Sequence, residues 1–136
     1  MWLLDTVALC EPGKPRPNPS VLEWFSNQYE DELHTSTVCL GEIWYGAERL
    51  PPGRQRDLLR SFAERGVEER FGSRLHAFDA LAAKAWGEMM IYAGRTLPTA
   101  DSMIAATALA HDLTVVTRNV RDFGGLGVRV ICPWED

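Results

Sequence analysis

Four carboxylates stand at costly or conspicuous places in this chain. Asp5 interrupts "WLLDTVALC", a polar step between two apolar runs that both favour burial. A charge held there is expensive unless something pairs with it. Glu42 lies in "TSTVCLGEIWYG", Asp101 in "PTADSMIAATALA", and Asp122 in "TRNVRDF", three residues after Asn119. Each acid alone has an ordinary reading. Asp101 would favour the dipole of a helix it begins, and Asp122 could complete a capping turn. Glu42 could lie on a solvated helix face, and Asp5 could cap the next element. Together they fit a different chemistry. Converging carboxylates raise one another's pKa and destabilise the fold unless a cation compensates. Acids with Asn and Thr, and no His or Cys, suit a hard, oxygen-liking ion, Mg²⁺ or Mn²⁺.

The elements that must bring these residues together alternate along the chain. Met1–Leu4 reads as a short apolar strand. Asn18 then caps a helix with Pro19 at its first position and Val21, Leu22 and Phe25 on one face. A second strand, Leu33–Thr35, leads into a helix from about Thr37 to Leu50, which stops at Pro51-Pro52. Arg54–Arg65 is amphipathic through Leu58, Leu59 and Phe62, with Gly66 as a stop. "RLHAF" is a third strand. Asp79 caps a helix whose stripe is Leu81, Ala85, Trp86 and Met89, and Thr99 caps a small-residue helix suited to close packing on a sheet. "LTVVT" and "VRVIC" are the last two strands.

Strands alternating with helices predict an α/β fold: a central parallel sheet of five strands with helices on both faces, in a single domain of residues 1–136. Sites in such sheets form beyond the carboxyl ends of the strands. Asp5 and Asn119–Asp122 directly follow strands there, and Glu42 and Asp101 lie near the starts of helices that begin at the same edge. The pattern therefore projects four carboxylates from four segments at one end of one sheet. Gly46, a turn beyond Glu42, reads either as room for another segment beside the acids or as plain helix packing.

Composition excludes several classes. The 136 residues are 46% hydrophobic and 24% charged, ordinary for a globular protein. No apolar run is long enough to span a membrane, and the N-terminus lacks the pattern of a signal peptide. Cys10, Cys39 and Cys132 are odd in number and widely spaced, which fits reduced, half-buried thiols of a cytoplasmic protein. The net charge of -5 gives no global basic field for nucleic acid. His34, His76 and His111 have no metal-ligand spacing, and each reads as a structural or surface residue. There is no phosphate-binding loop or nucleophile elbow, and "GGLG" precedes a strand rather than a helix.

The segments "LLDT", "TSTVCLGEIWYG", "LPTADSMIAATALAHDLTVVTRNVRDF" and "GVRVICPW" resemble the PIN-domain ribonuclease toxins of bacterial toxin–antitoxin pairs, of the VapC type and its FitB-like branch. The likeness runs from Met1 to Trp134. It implies a PIN-like fold whose metal-binding acids are Asp5, Glu42, Asp101 and Asp122, supported by Thr6, Asn119 and Thr117. Val7 and Cys132-Pro133-Trp134 depart from the family pattern without touching the acids. The implied activity is Mg²⁺- or Mn²⁺-dependent RNA hydrolysis. Arg118 or Arg121, near the acids, could contact RNA phosphates, and Arg118 could equally face solvent or a partner. The implied partners are an RNA substrate, a cognate antitoxin through which operator DNA is bound indirectly, and a second copy in a homodimer. Leu58, Leu59 and Phe62 could form that interface or pack in the core. Two other classes make different demands on the same residues. A receiver or phosphatase-like fold wants an acid where Val7 stands, or a lysine that "VVTRN" lacks. A non-catalytic PIN-like binding module would neither bind Mn²⁺ nor depend on Asp5.

Overall fold

The apolar runs pair as one parallel sheet. In the computed structural model, which describes residues 1–135, the strands are β1 (Trp2–Leu4), β2 (Leu33–Ser36), β3 (Leu75–His76), β4 (Thr114–Val116) and β5 (Val130–Ile131). Their order is β3-β2-β1-β4-β5, and every pairing is parallel. β1 lies at the centre, with Trp2 opposite Leu33 on one side and Thr114 on the other. Right-handed connections put the crossovers toward β3 on one face and those toward β5 on the other. Successive residues point to opposite faces, and Leu3, Leu4, Val115 and Val116 are all fully buried. Both faces are therefore covered, which is why β1 and β4 read as unbroken apolar runs.

The connections are α1 (Thr6–Cys10), α2 (Pro19–Ser26), α3 (Thr37–Arg49), α4 (Arg54–Ser61), α5 (Ala80–Ala93), α6 (Thr99–Ala110) and α7 (Val120–Phe123). Asn18 and Asp79 cap α2 and α5 as their sequence positions predict: Asn18 accepts from the Ser20 and Val21 amides, and Asp79 from that of Ala82. Thr99 is the first residue of α6 rather than its cap, a shift of one place.

Several expectations need correction. Gly66 does not stop the fourth helix. The chain continues from α4 into a π-helical stretch, Phe62–Glu69, whose Ala63 and Val67 are buried. A Cβ on Gly66 would collide with the ring of Phe62, so the glycine is there to admit that ring. The α5 stripe is set by Ala82 and Met89, with Ala85 and Trp86 packed alongside, while Leu81 is 54% exposed. In α2, Val21 is buried and Leu22 points outward. The third strand is two residues long. Of the cysteines only Cys10 is half-buried; Cys39 is buried and Cys132 exposed, and all three are free. No helix among the described residues is long and apolar enough to cross a membrane.

Candidate active site

The chain passes from β1 outward to β2 and β3, then returns to the other side of β1 as β4. This reversal opens a crevice between the carboxyl ends of β1 and β4, the place where such sheets bind ligands. Asp5 stands in it. Its amide donates to the Val116 carbonyl at 3.1 Å, the last bond of the β1–β4 ladder. Its carboxylate accepts from the Ala8 amide at 2.8 Å and so caps α1. Asp5 is 3% exposed. Burial pushes its carboxyl upward, while the Thr117 hydroxyl and the amides of Ala8 and Val7 pull it back. The capping role and the site role thus coexist in one side chain.

The other three acids gather around it. Thr6 donates its hydroxyl to Glu42 Oε1 at 2.6 Å, tying α1 to α3. Asp101, in the first turn of α6, is half-buried. Its carboxyl is pushed up to about 6, first by burial and then by the charges of Asp122, Asp5 and Glu42. Asp101 therefore feels the other three predicted acids. None of the seven ion pairs among the described residues involves any of them. Like charges that converge without a counter-charge destabilise the site in this form. Among the described residues, no three acidic, histidine or cysteine side chains close into a ligand set.

Thr117 is fully buried, with its hydroxyl accepting from the Asn119 amide at 2.9 Å. It links the end of β4 to both Asp5 and α7. Asn119 caps α7 by backbone position only; its side chain makes no capping bond. Arg118 and Arg121 are exposed beside the site. Gly46 is resolved as packing: a Cβ there would lie 3.5 Å from Leu59 of α4, an ordinary contact on the side of that helix.

Three features escaped the sequence pattern. Arg95, on the α5–α6 connection, donates to backbone carbonyls at the end of α7. Glu11 is buried; it pairs with Lys14 at 2.7 Å and accepts from the Asn18 amide, bracing the Pro-rich lead into α2. The Lys14 bond is the main cause of its lowered carboxyl pKa. The three histidines, separate in sequence, form a stack. His34 and His76 ring centroids lie 5.0 Å apart and those of His76 and His111 4.1 Å apart. His34 Nδ1 lies 2.8 Å from His76 Nε2. Burial depresses both rings, His76 to about 4. The spacing offered no signal for this, since β2, β3 and α6 supply one ring each.

An apolar groove lies elsewhere on the molecule. It measures about 420 Å³ and is lined by Cys10, Lys14, Leu58, Leu59 and Phe62. Leu59 and Phe62 also pack on the core, whereas Leu58 is 57% exposed. The core reading holds for Leu59 and Phe62, while Leu58 stays on the surface.

A family model described as PIN domain matches residues 2–124. The chain is 33% identical over 139 residues to Toxin FitB of Neisseria gonorrhoeae, covering 100% of each. It is 33% identical over 138 residues to VapC ribonuclease Y4jK of Sinorhizobium fredii, covering 99% of each. The solved structure of FitAB bound to the IR36 DNA fragment matches with a TM-score of 0.91 at 32% identity, over 100% of this chain and 97% of that one.

Proposed function

This chain belongs to the PIN-domain family, and from that premise we propose that it is a metal-dependent endoribonuclease, the toxin of a type II toxin–antitoxin pair. The observation that carries the reading is the placement of Asp5 and Asp122 just after β1 and β4, and of Glu42 and Asp101 near the starts of α3 and α6, at one edge of a parallel sheet. The relatives named as a toxin and as a ribonuclease favour the same activity.

The donor set is all oxygen, with no cation paired to it, and fits Mg²⁺ or Mn²⁺. Asp5 and Asp101 would hold the ion, with Asp122 and Glu42 holding a second or orienting water. A bound divalent ion lowers the pKa of its water and neutralises charge on the leaving oxygen of a phosphodiester. The chain's own part is to keep the acids in register. Thr117 holds Asp5, Thr6 holds Glu42, and burial of Phe123 seats α7. Arg118 and Arg121 would take RNA phosphates on the rim, which reconciles an acidic chain with an anionic substrate. The working assembly is a cytoplasmic homodimer bound by its antitoxin, with operator DNA reached through that partner; the FitAB–DNA likeness supports this. Residues 1–136 act as one unit, since a single buried cluster draws on segments from Leu3 to Trp134.

The test is cleavage of cellular RNA by the purified protein with Mn²⁺ or chelator. Metal-dependent 5′ ends that vanish in folded Asp5→Ala are expected. Cleavage by that variant at the parent's rate would sink the assignment.

A further inference from the structure

The segment that carries Asp122 is held from outside itself. α7 has four residues, too few to keep its shape through its own hydrogen bonds. At its start the backbone is tied to Thr117 rather than capped by Asn119. At its end the Arg121 carbonyl accepts the Gly124 amide, at 3.3 Å, and the terminal carbonyls face one guanidinium. Arg95 Nη2 donates to the Gly124 carbonyl at 2.9 Å and reaches those of Arg121 and Asp122 at 3.3 Å each. A cation also suits the negative end of a helix.

Arg95 lies on the connection that leads into α6, whose first turn carries Asp101. One side chain therefore joins the two segments whose acids meet. It forms no ion pair with either acid; its bonds are to main chain. Resting on the nuclease reading, we propose that Arg95 is a positioning residue: it pins α7 against the start of α6 and so fixes where Asp122 stands relative to Asp101 and to the ion they would share. Groups that orient ligands in this way typically change metal affinity or activity by about 10–100-fold when removed. Arg95 is exposed, so its loss leaves the core intact.

The experiment compares the parent, Arg95→Ala and Arg95→Lys by three measurements: amide hydrogen exchange without metal, Mn²⁺ titration calorimetry, and RNA-cleavage kinetics. Arg95→Ala should speed exchange at the Asp122 and Gly124 amides by at least about 10-fold while the strands keep their protection. It should weaken Mn²⁺ binding and lower kcat by about 10–100-fold, with KM within about twofold. Arg95→Lys, keeping the charge but not the planar fork, should fall between the two. Unchanged exchange in α7 overturns the proposal, as does faster exchange with parental kcat and Mn²⁺ affinity. A raised KM at parental kcat overturns it too, by making Arg95 an RNA contact. If the parent neither binds Mn²⁺ nor cuts RNA, the nuclease reading fails. The clamp is then judged on exchange alone, with faster α7 exchange sustaining it and no change refuting it.

Discussion

α6 carries a titratable cluster at each end, and the two are built on opposite terms. Its first turn holds Asp101 among the acids, and its end holds His111 in the histidine stack, roughly 15 Å away along the helix. In both, burial is the first cause of the shift and like neighbours the next. The difference lies in which form neutral pH selects. His76, depressed to about 4, is neutral there, and neutral imidazoles can donate and accept between themselves at 2.8 Å. That cluster is complete without a ligand. Asp101, raised to about 6, is still mainly ionised at pH 7, with three more acids beside it. On the proposed reading, a cation completes that cluster. Proximity of titratable groups is therefore a poor sign of a site by itself; unbalanced charge in the prevailing form is the better one.

The largest effect should separate the two ends by activity. Asp101→Ala should abolish RNA cleavage, a loss of at least about 100-fold, while His76→Leu should stay within about twofold of the parent in the same assay. A comparable loss from both would erase the contrast.

Metal should then act on one end only. Mn²⁺ at about 100 times its Kd should stabilise the parent by about 2.7 kcal/mol, read as a rise in Tm. The rise should disappear in Asp5→Ala and persist in His76→Leu. A persistent rise in Asp5→Ala would place the ion elsewhere.

In chelator, pH should move the two ends oppositely. Asp101 has a folded pKa raised from 3.8 to about 6. Its contribution is full below about 3.8 and is lost as pH climbs through about 6. His76 has a folded pKa lowered from 6.5 to about 4. Its contribution is full above about 6.5 and is lost as pH falls toward about 4. Asp101→Asn should flatten the decline on the rising side and raise Tm at pH 7 by a few degrees, and His76→Leu should flatten the decline on the acid side. Urea titrations across pH 4–8 would show it; parallel profiles for parent and variants would refute both assignments.

The smallest effect concerns Thr6. Thr6→Val removes the 2.6 Å bond to exposed Glu42 and should cost about 0.5–1 kcal/mol or less in stability, with a larger loss of cleavage than of stability. Parental cleavage would show that Glu42 does not need that hold.

Much of the site was legible because each acid is tied to a local signal. Asp5 ends an apolar run, Asn119 and Asp122 follow another, and helix starts fix Glu42 and Asp101 at the same edge. Parallel topology did the rest, since it forces all of these to one end. What stayed hidden depends on atoms from distant segments. Arg95 binds backbone carbonyls, which have no residue type to reveal them. Three rings from β2, β3 and α6 meet only after the sheet forms. The α5 stripe was set one residue early because Leu81 outweighs Ala82 as a hydrophobe, although helical phase puts Ala82 inward. Gly66 looked like a terminator, but its missing Cβ makes room for the Phe62 ring.

The central place of β1 has a consequence for synthesis. β1 cannot be closed on its second side until Thr114–Val116 emerges, and Asp122 follows later still. Chains are made at about 5–20 residues per second, so an unfinished polypeptide carries Asp5, Glu42 and Asp101 for about one to three seconds without the strand that walls in Asp5. On the nuclease reading, the complete acidic site forms only once β4 and α7 have both been made, giving a partner made alongside time to be present first.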